Sequence, residues 1–325
     1  MNRRLFVRSV AGSLLGVSLV TRAQPTHKVY RIGVLEQIPA ERNAANLGAL
    51  RKGLRDLGYV EGQNLIIEYR SADGHAERFP DLASELVRLR VDLIVTRGTP
   101  AARAAKSATA TIPIIMATMG DPRVIVGSLT RPEGNVTGVT TFSTELTAKR
   151  IELLDELVPN LSRVALLHNL GNPAAPPEWE ETKAAARSLG LQAEMLDVRT
   201  QGELHAAFER ALREHVQALV IGADGLTQMH EQTIVDLAAR DRLPAAYPGR
   251  EFVVAGGLIA YAVSYSDLYR RFASFADKIF KGAKPGELPV EQPLRFELVI
   301  NSRTATALGL SIPVSLRLRA DEVIE

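Results

Sequence analysis

The sequence predicts an α/β protein whose two similar lobes each contain a parallel β-sheet and face each other across a cleft. Its strand segments are apolar throughout and rich in Ile and Val, which is typical of parallel strands covered by helices on both faces. These strands alternate with amphipathic helical segments. The order then repeats: the first and third strands lie 60 residues apart in the first half (Ile32 to Asp92) and 54 apart in the second (Val164 to Ala218). Such a repeat indicates two lobes joined by a hinge.

Each predicted helix places apolar residues at helical spacing. Leu47, Leu50 and Leu54 form such a face in the first helix, and Gly58 ends it. An alanine-rich helix follows Pro100. Strands are predicted at 29–35, 65–70, 93–95, 112–119, 136–142, 163–167, 191–198, 218–221 and 244–247, and further helices at 43–57, 76–90, 144–158, 177–189, 202–214 and 228–241.

The chain is less regular after Tyr247. Gly256 and Gly257 favour a close approach of other backbone to a predicted strand. We expect this tail to cross between the lobes, but the sequence does not fix the position of the crossing. The predicted elements of the tail are strands at 255–261 and 296–300, helices at 266–281 and 302–309, and a proline-containing linker at 284–293.

The segment 92–122 organises the predicted binding site. Thr96-Arg97-Gly98-Thr99-Pro100 follows one apolar strand, and Gly120-Asp121-Pro122 follows the next. Pro100 suits the first turn of a helix, Thr99 can cap that helix, and the helix N-terminus favours an anion. Ligands of open parallel sheets bind outside the carboxyl ends of the strands. The loops 96–100 and 120–122 are therefore predicted to form one wall of a small-molecule site.

Candidates for the opposite wall follow strands of the second half. Asn169 and Asp224 come directly after two of them, and Tyr247 and Tyr261 end apolar stretches. Each residue also has a structural interpretation. Asp224 lies between glycines and could bond its own backbone, Asp121-Pro122 is a common turn, and either tyrosine could lie in the core. Thr99 would cap its helix with or without a ligand.

Residues 1–23 have the features of an export signal. They contain four arginines and no acid, an apolar stretch from Val10 to Val20, and small residues before Gln24. The apolar stretch is too short for a stable membrane anchor. The Arg3-Arg4 pair followed by Leu5 resembles a twin-arginine signal, although an ordinary secretory signal with a chance arginine pair is the alternative. The prediction is cleavage after Ala23 and a soluble periplasmic product.

Composition excludes several classes of function. The chain has no cysteine, so disulfides, thiolate metal sites and cysteine nucleophiles are excluded. Beyond residue 23, 35 basic residues face 37 acidic ones, a net charge of −2 that gives no electrostatic case for nucleic acid. The six histidines have no metal-ligand spacing and are predicted to lie on the surface. Phosphate-binding, nucleophile-elbow and zinc-protease motifs are missing, so we predict no cofactor, no metal and no enzymatic activity.

A family resemblance is carried by seven stretches of the chain. They are GLRDLGYVEGQNLIIEYR (53–70), RGTPAARAAKSATATIPII (97–115), GDP (120–122), LTRPEGNVTGVT (129–140), AKRIELLDELVP (148–159), YPGREFVVAGGLIAY (247–261) and FELVINSRTATALGLSIP (296–313). These stretches resemble the type I periplasmic solute-binding proteins of ABC transporters, in the family assigned to tryptophan/tyrosine-like or unassigned uptake systems. The resemblance implies two Rossmann-like lobes joined by three crossovers. The predicted boundaries are 29–142 plus about 262–285 for lobe 1, and 143–261 plus about 286–325 for lobe 2.

In amino-acid-binding members of this family, hydroxyls and amides of the first lobe hold the ligand carboxylate. The resemblance places Thr96, Gly98 and Thr99 in that role. Arg97 stands where many members have glycine. It could pair with a ligand carboxylate or point out to water.

The resemblance also implies contacts from the other side of the ligand. An acidic residue, Asp121 or Asp224, would hold the ammonium, and Tyr247 and Tyr261 would pack against the side chain. The implied function is capture of a small polar solute, an amino acid or related carboxylate, by hinge closure, followed by delivery to an inner-membrane permease. A monomer is expected. The alternatives are a sensory module for a chemoreceptor or kinase, and an enzyme with a cleft active site.

Overall fold

The first lobe contains a five-stranded, fully parallel sheet in the order β2-β1-β3-β4-β5. The computed structural model describes residues 28–118, 122–141, 143–293 and 295–325, so the predicted export signal and Asp121 lie outside the described residues. β3 is buried along its whole length because its apolar residues contact helices on both faces. The strands are β1 (Tyr30–Glu36), β2 (Leu65–Ser71), β3 (Leu93–Arg97), β4 (Ile114–Thr118) and β5 (Val136–Thr140).

Helices cover both faces of this sheet. Leu47, Leu50 and Leu54 of the first helix are buried against one face, as their spacing predicts. Phe79 and Leu86 lie in a second core cluster together with the alanines of the third helix. The helices that precede β5 are α1 (Ala44–Asp56), α2 (Phe79–Arg88) and α3 (Thr99–Ala108).

The second lobe contains a seven-stranded sheet in the order β12-β11-β10-β9-β8-β6-β7. Five of its six strand pairs are parallel, but β11 runs antiparallel to β10, which departs from the predicted fully parallel sheet. The strands are β6 (Arg163–His168), β7 (Gln192–Asp197), β8 (Ala218–Ile221), β9 (Ala245–Tyr247), β10 (Ile259–Val263), β11 (Phe296–Asn301) and β12 (Glu322–Ile324).

Two predicted elements of the second lobe differ from the observed ones. The predicted helix 228–241 is two helices, with His230 between them. The predicted strand 255–261 begins at Ile259, because a short helix, which the sequence analysis missed, occupies 250–254 and Gly256 follows it with φ 111°. The helices are α4 (Ser143–Leu157), α5 (Ala175–Ser188), α6 (Leu204–Arg213), α7 (Gly225–Met229), α8 (Glu231–Arg240), α9 (Arg250–Val254), α10 (Tyr265–Phe280), α11 (Ser302–Leu308) and α12 (Val314–Arg319).

The chain passes between the two sheets three times. β5 leads into α4, which packs against α5 of the second sheet, and β10 leads into α10, which returns to pack on α1. The ring of Phe280 stacks on Tyr30 of β1 at 4.0 Å, so α10 is anchored to the first sheet. Because the chain re-enters the second lobe from the hinge, where β10 leaves it, β11 runs opposite to β10.

The third crossing lies later than the predicted boundary at about residue 286. The backbone N–H of Glu291 donates to the carbonyl of Gly138, and the N–H of Thr140 donates to the carbonyl of Glu291, at 2.9 and 3.0 Å. The segment up to Glu291 therefore lies beside β5 of the first sheet. No helix in the described part of the chain is long and apolar enough to cross a membrane.

Candidate functional site

In both sheets, the carboxyl ends of parallel strands face the cleft between the lobes. A cavity of about 460 Å³ lies in this cleft. The first lobe contributes Arg97 at the end of β3 and the N-terminal part of α1, and the second lobe contributes α7, α8 and α9. Tyr265, just after β10, closes the hinge side. Residues from both lobes therefore surround one volume, as hinge closure on a ligand requires.

A buried ion pair lies at the first-lobe edge of this cavity. Nε of Arg97 lies 3.2 Å from Oε2 of Glu36, and the two side chains are only 2% and 0% exposed. The Arg97 guanidinium also lies over the ring of Tyr265, 4.9 Å from its centroid. Arg97 therefore does not point out to water, which was one of the two orientations considered from the sequence.

Three buried polar atoms at the ends of β1 and β3 lack a partner within the described chain. Oε1 of Glu36, Oγ1 of Thr96 and Nη2 of Arg97 are buried without a hydrogen bond from any part of the chain that the structure describes. Burial raises the pKa of the Glu36 carboxyl, an effect that the charge of Arg97 partly offsets. Buried polar groups are almost always hydrogen-bonded, so the unpaired donor of Arg97, which lines the cavity, indicates a place for ligand atoms.

The second lobe contributes one unpaired group to the same cavity. Both amide atoms of the Gln228 side chain are buried and unbonded within the described chain. The residues that line the cavity include three arginines and three glutamates. Burial raises the pKa of one of these glutamates, Glu251. The charged lining residues are Arg42, Arg97, Arg250, Glu231, Glu251 and Glu297, and the apolar ones include Ile38, Val254, Ala260, Ala262, Val263 and Val299.

The loop after β3 differs in detail from its prediction. Gly98, not Thr99, occupies the N-cap position of α3, with φ 90° and no side-chain cap. A positive φ favours glycine over other residues. The helix therefore begins at Thr99, one residue earlier than it would if Thr99 were the cap. Thr99 is the first residue of the helix and is 1% exposed, and Pro100 lies in the first turn as predicted.

Asn169 and Asp224 lie together, but at a second cavity of about 510 Å³ on the other side of the cleft. The carboxylate of Asp224 accepts from the N–H of Leu226 at 2.8 Å and from Nδ2 of Asn172 at 2.7 Å. Asp224 and Thr227 form a capping box at the start of α7. Both oxygens of Asp224 are therefore already hydrogen-bonded within its own lobe.

Neither of the two predicted tyrosines lines these two cavities. Tyr247 is 1% exposed and stacks on Phe252 at 5.1 Å inside the second-lobe core. Tyr261 packs beside Phe296 at 5.8 Å. Both rings therefore pack against other aromatic rings. This is the structural interpretation considered for them in the sequence.

A buried charged network lies behind the second-lobe wall. Nε2 of His168 lies 3.2 Å from Oε2 of Glu178, and Thr147 donates to the other oxygen of Glu178 at 2.5 Å. Arg150 lies 4.0 Å from Glu178 and donates to the carbonyl of Tyr261 at 3.0 Å. His168 is fully buried, so the prediction that all histidines lie on the surface was wrong for this one.

Nδ1 of His168 accepts a hydrogen bond from the N–H of Asn169 at 2.7 Å. Nε2 therefore faces Glu178. Burial lowers the pKa of His168, but the hydrogen bond and charge of Glu178 raise it above its usual 6.5. Burial alone would raise the pKa of Glu178, but His168, with Arg150 and Thr147, holds it below its usual value of 4.5. This network ties α4, α5, β6 and β10 together beside two of the crossings.

The sequence analysis missed Glu36, Gln228 and Glu251. Glu36 could have been found, because it ends the first strand at the same sheet edge as Thr96 and Arg97. Gln228 and Glu251 gave no such signal. They lie in short helices after β8 and β9, and their approach to the cavity depends on how the lobes meet.

Known proteins are similar to this chain in sequence and in fold. A family model described as ABC transporter substrate binding protein matches residues 31–324. A tyrosine-binding protein of Clostridioides difficile is 26% identical over 274 residues, which cover 84% of this chain and 77% of that protein.

Two solved structures are similar over almost the whole fold. A conserved domain protein from Vibrio cholerae superposes with a TM-score of 0.85 at 26% identity, covering 91% of this chain and 100% of that one. An ABC domain in complex with L-Trp from Streptococcus pneumonia superposes with a TM-score of 0.84 at 29% identity, covering 91% of this chain and 99% of that one. These similarities agree with the two-lobed fold and the central cleft.

Proposed function

Since this chain belongs to the family of ABC transporter substrate-binding proteins, we propose that its ligand is a free α-amino acid with a large apolar or aromatic side chain. Tryptophan and tyrosine are the first candidates. Two of the relatives support this choice, one named as tyrosine-binding and one solved with L-Trp. The family consists of extracytoplasmic substrate-binding proteins rather than enzymes.

The observation that carries this proposal is the set of unpaired atoms around the Glu36–Arg97 pair. Nη2 of Arg97, which lines the cavity, is a buried donor that a ligand carboxylate would satisfy. Oε1 of Glu36 is a buried acceptor that a ligand ammonium would satisfy. A zwitterion supplies both groups on neighbouring atoms, which a sugar or a simple carboxylate does not.

The rest of the cavity suits the remainder of such a ligand. Ile38, Val254 and Val263 give it apolar walls from both lobes. Gln228 offers an unpaired amide that would bond a carboxylate oxygen or a polar tip of the side chain. Among the predicted residues, Thr96, Arg97, Gly98 and Thr99 enter the proposal at the first-lobe wall, and Asp121, Asn169 and Asp224 remain predictions.

In the proposed mechanism the open protein binds the amino acid on the first-lobe wall, and closure brings up Gln228 and Glu251. The ligand favours closure only because these contacts exist in the closed form and not in the open one. The closed form is then presented to the membrane permease of an ABC importer. We further propose export to the periplasm with cleavage after Ala23, a monomeric state and no role for nucleic acid.

Calorimetric titration with L-tryptophan, tryptamine and indole-3-propionate tests the zwitterion directly. Tryptamine lacks the carboxylate that faces Arg97, and indole-3-propionate lacks the ammonium that faces Glu36. Each should bind at least about tenfold more weakly than L-tryptophan, because one buried charge stays unpaired. A thermal-shift screen of the other amino acids and of sugars provides the wider comparison, since a ligand at 100 times its Kd adds about 2.7 kcal/mol to stability. Binding of sugars alone, or equal binding of tryptamine and L-tryptophan, would overturn the assignment.

A further inference from the structure

We propose that Arg42 is a positioning residue that holds the two lobes closed through α7, before any ligand arrives. The inference rests on the proposed function in one respect: the effect on ligand affinity assumes that Gln228 contacts the ligand. The effect on lobe closure does not depend on which ligand binds.

Arg42 lies just before α1 of the first lobe, and the hydrogen bonds that it donates within the described chain all cross to the second lobe. Nη1 donates to the carbonyl of Met229 at 2.6 Å, and Nη2 donates to the carbonyl of Gln228 at 3.1 Å. Nη2 also lies 2.6 Å from Oε1 of Glu231. One guanidinium thus bonds the end of α7 and the start of α8.

Other interlobe contacts converge on the same short helix. A Cβ on Gly225 would lie 1.5 Å from Oε1 of the buried Gln37 side chain, so the first lobe approaches α7 as closely as a glycine permits. A Cβ on Gly74 would lie 3.2 Å from the side chain of Met229. Helix α7 is therefore contacted at its beginning by Gln37 and at its end by Arg42.

Gln228 connects this contact to the cavity. Its main-chain carbonyl accepts the hydrogen bond from Arg42, and its side-chain amide lines the cavity with both polar atoms unpaired. Loss of Arg42 would let α7 move away from the first lobe and carry the amide with it. Arg42 also lines the cavity, but its guanidinium bonds the carbonyls of Gln228 and Met229 and pairs with Glu231. We therefore propose that it acts mainly through the position of Gln228.

The pair with Glu231 is partly exposed, with 33% and 23% of the two side chains accessible, so salt should weaken it. The two carbonyl contacts are charge-assisted hydrogen bonds and should resist salt better. Together they should favour the closed form by about tenfold or more, the scale expected for hydrogen bonds to a charged group.

The first experiment measures closure without ligand. The chain has no cysteine, so Asp56→Cys and Arg213→Cys place spin labels on exposed positions of the two lobes without background. In the unliganded protein, Arg42→Ala should move the interlobe distance distribution to longer values. Arg51→Ala is the matched control, because Arg51 lies in the neighbouring α1 and bonds Glu61 of its own lobe at 2.7 Å. A distribution unchanged by Arg42→Ala, or shifted equally by Arg51→Ala, overturns the proposal.

The second experiment measures kinetics with L-tryptophan. Arg42→Ala should raise the dissociation rate about tenfold and change the association rate little, because encounter occurs in the open form. Arg42→Lys should recover part of the loss, since one ammonium keeps a charge but not the paired donors of the guanidinium. A wild-type protein that ignores L-tryptophan contradicts the proposed ligand and leaves the distance experiment valid. A wild-type protein that binds L-tryptophan, with the same dissociation rate in Arg42→Ala, contradicts the role of Arg42.

Discussion

The two walls of the cleft use buried polar residues in opposite ways. On the first-lobe wall, Glu36, Thr96 and Arg97 leave one atom each without a partner among the described residues. On the second-lobe wall, Asp224 and Asn172 are bonded to each other, and their remaining oxygens accept from backbone N–H groups. Both walls are buried to a similar degree, so burial alone does not separate them.

This difference separates ligand-binding groups from scaffold groups. A buried polar side chain whose bonds are all made inside one lobe stabilises that lobe and gains nothing from a ligand. A buried side chain with an unpaired atom at a cavity carries a desolvation cost that a ligand would remove. We therefore propose that the first-lobe wall recognises the charged end of the ligand. Asp224 and Asn172 hold loops of the second lobe in place, whereas Gln228 is an unpaired second-lobe group at the cavity.

Replacing Arg97 should give the largest effect. Arg97→Met removes the unpaired donor and leaves the Glu36 carboxylate buried alone. L-tryptophan affinity should fall about 100-fold, and stability should fall by about 3–5 kcal/mol, because breaking a buried ion pair leaves an uncompensated charge. Titration calorimetry and urea unfolding measure the two effects separately.

The double variant Glu36→Leu/Arg97→Met provides the control. Removing both charges should restore most of the stability, because apolar replacement of a whole buried pair is often neutral. It should not restore binding. Normal affinity in this variant would show that the first-lobe pair is scaffold, and the comparison between the walls would fail.

Glu178→Gln should affect stability alone. Glu178 is fully buried, accepts a hydrogen bond from Thr147 and lies 3.2 Å from Nε2 of His168, so the substitution should cost about 3 kcal/mol and change the Kd for L-tryptophan less than about threefold. A tenfold loss of affinity at unchanged stability would contradict the scaffold role of this network.

The same variant has a characteristic pH dependence. The pKa of Glu178 is lower in the folded protein than its usual 4.5, so its stabilisation is complete above pH 4.5 and disappears as the pH falls through the folded value. The stability difference between wild type and Glu178→Gln should therefore shrink in acid. It should also shrink as the pH rises through the folded pKa of His168, which Glu178 raises. Urea unfolding of both proteins at a series of pH values gives this difference directly.

Asp224→Asn should have the smallest effect. Asparagine keeps the oxygen that caps α7 and loses only the charge-assisted bond from Asn172, so we expect a cost of about 1 kcal/mol or less and unchanged affinity. If Asp224 instead holds the ligand ammonium, as the family resemblance implied, affinity should fall at least about tenfold. This substitution therefore distinguishes the two interpretations of the second-lobe wall.

Much of the fold could be predicted because its signals are local. Continuous Ile- and Val-rich runs, leucines at helical spacing and glycines after helices gave nearly every strand and helix of the two lobes. The repeat of that order gave the two-lobed architecture. The misplaced elements lie where a short helix follows a strand, as at 225–229 and 250–254, since five residues are too few to show a helical period.

The candidate site could be predicted only in part. Sequence reasoning located the loop after β3, because the carboxyl ends of parallel strands bind ligands whatever their partners. It could not assign Asp224 or the two tyrosines, because a capping aspartate and a ligand-binding one look the same in a sequence. It also could not find Arg42, whose hydrogen bonds are made to residues 186 and 187 positions away.

The sequence by itself determined the α/β class, the two lobes and the sheet edge that carries the site, since each follows from periodicity and chain order. Only the tertiary structure decided which buried polar atoms are satisfied and which remain free for a ligand. The tertiary structure also decided that β11 runs antiparallel to β10, because its direction depends on the side from which the chain re-enters the second lobe. Hydrogen-bond satisfaction depends on the complete three-dimensional set of neighbours, and residues such as Arg97 and Gln228 line one cavity only when the two lobes meet.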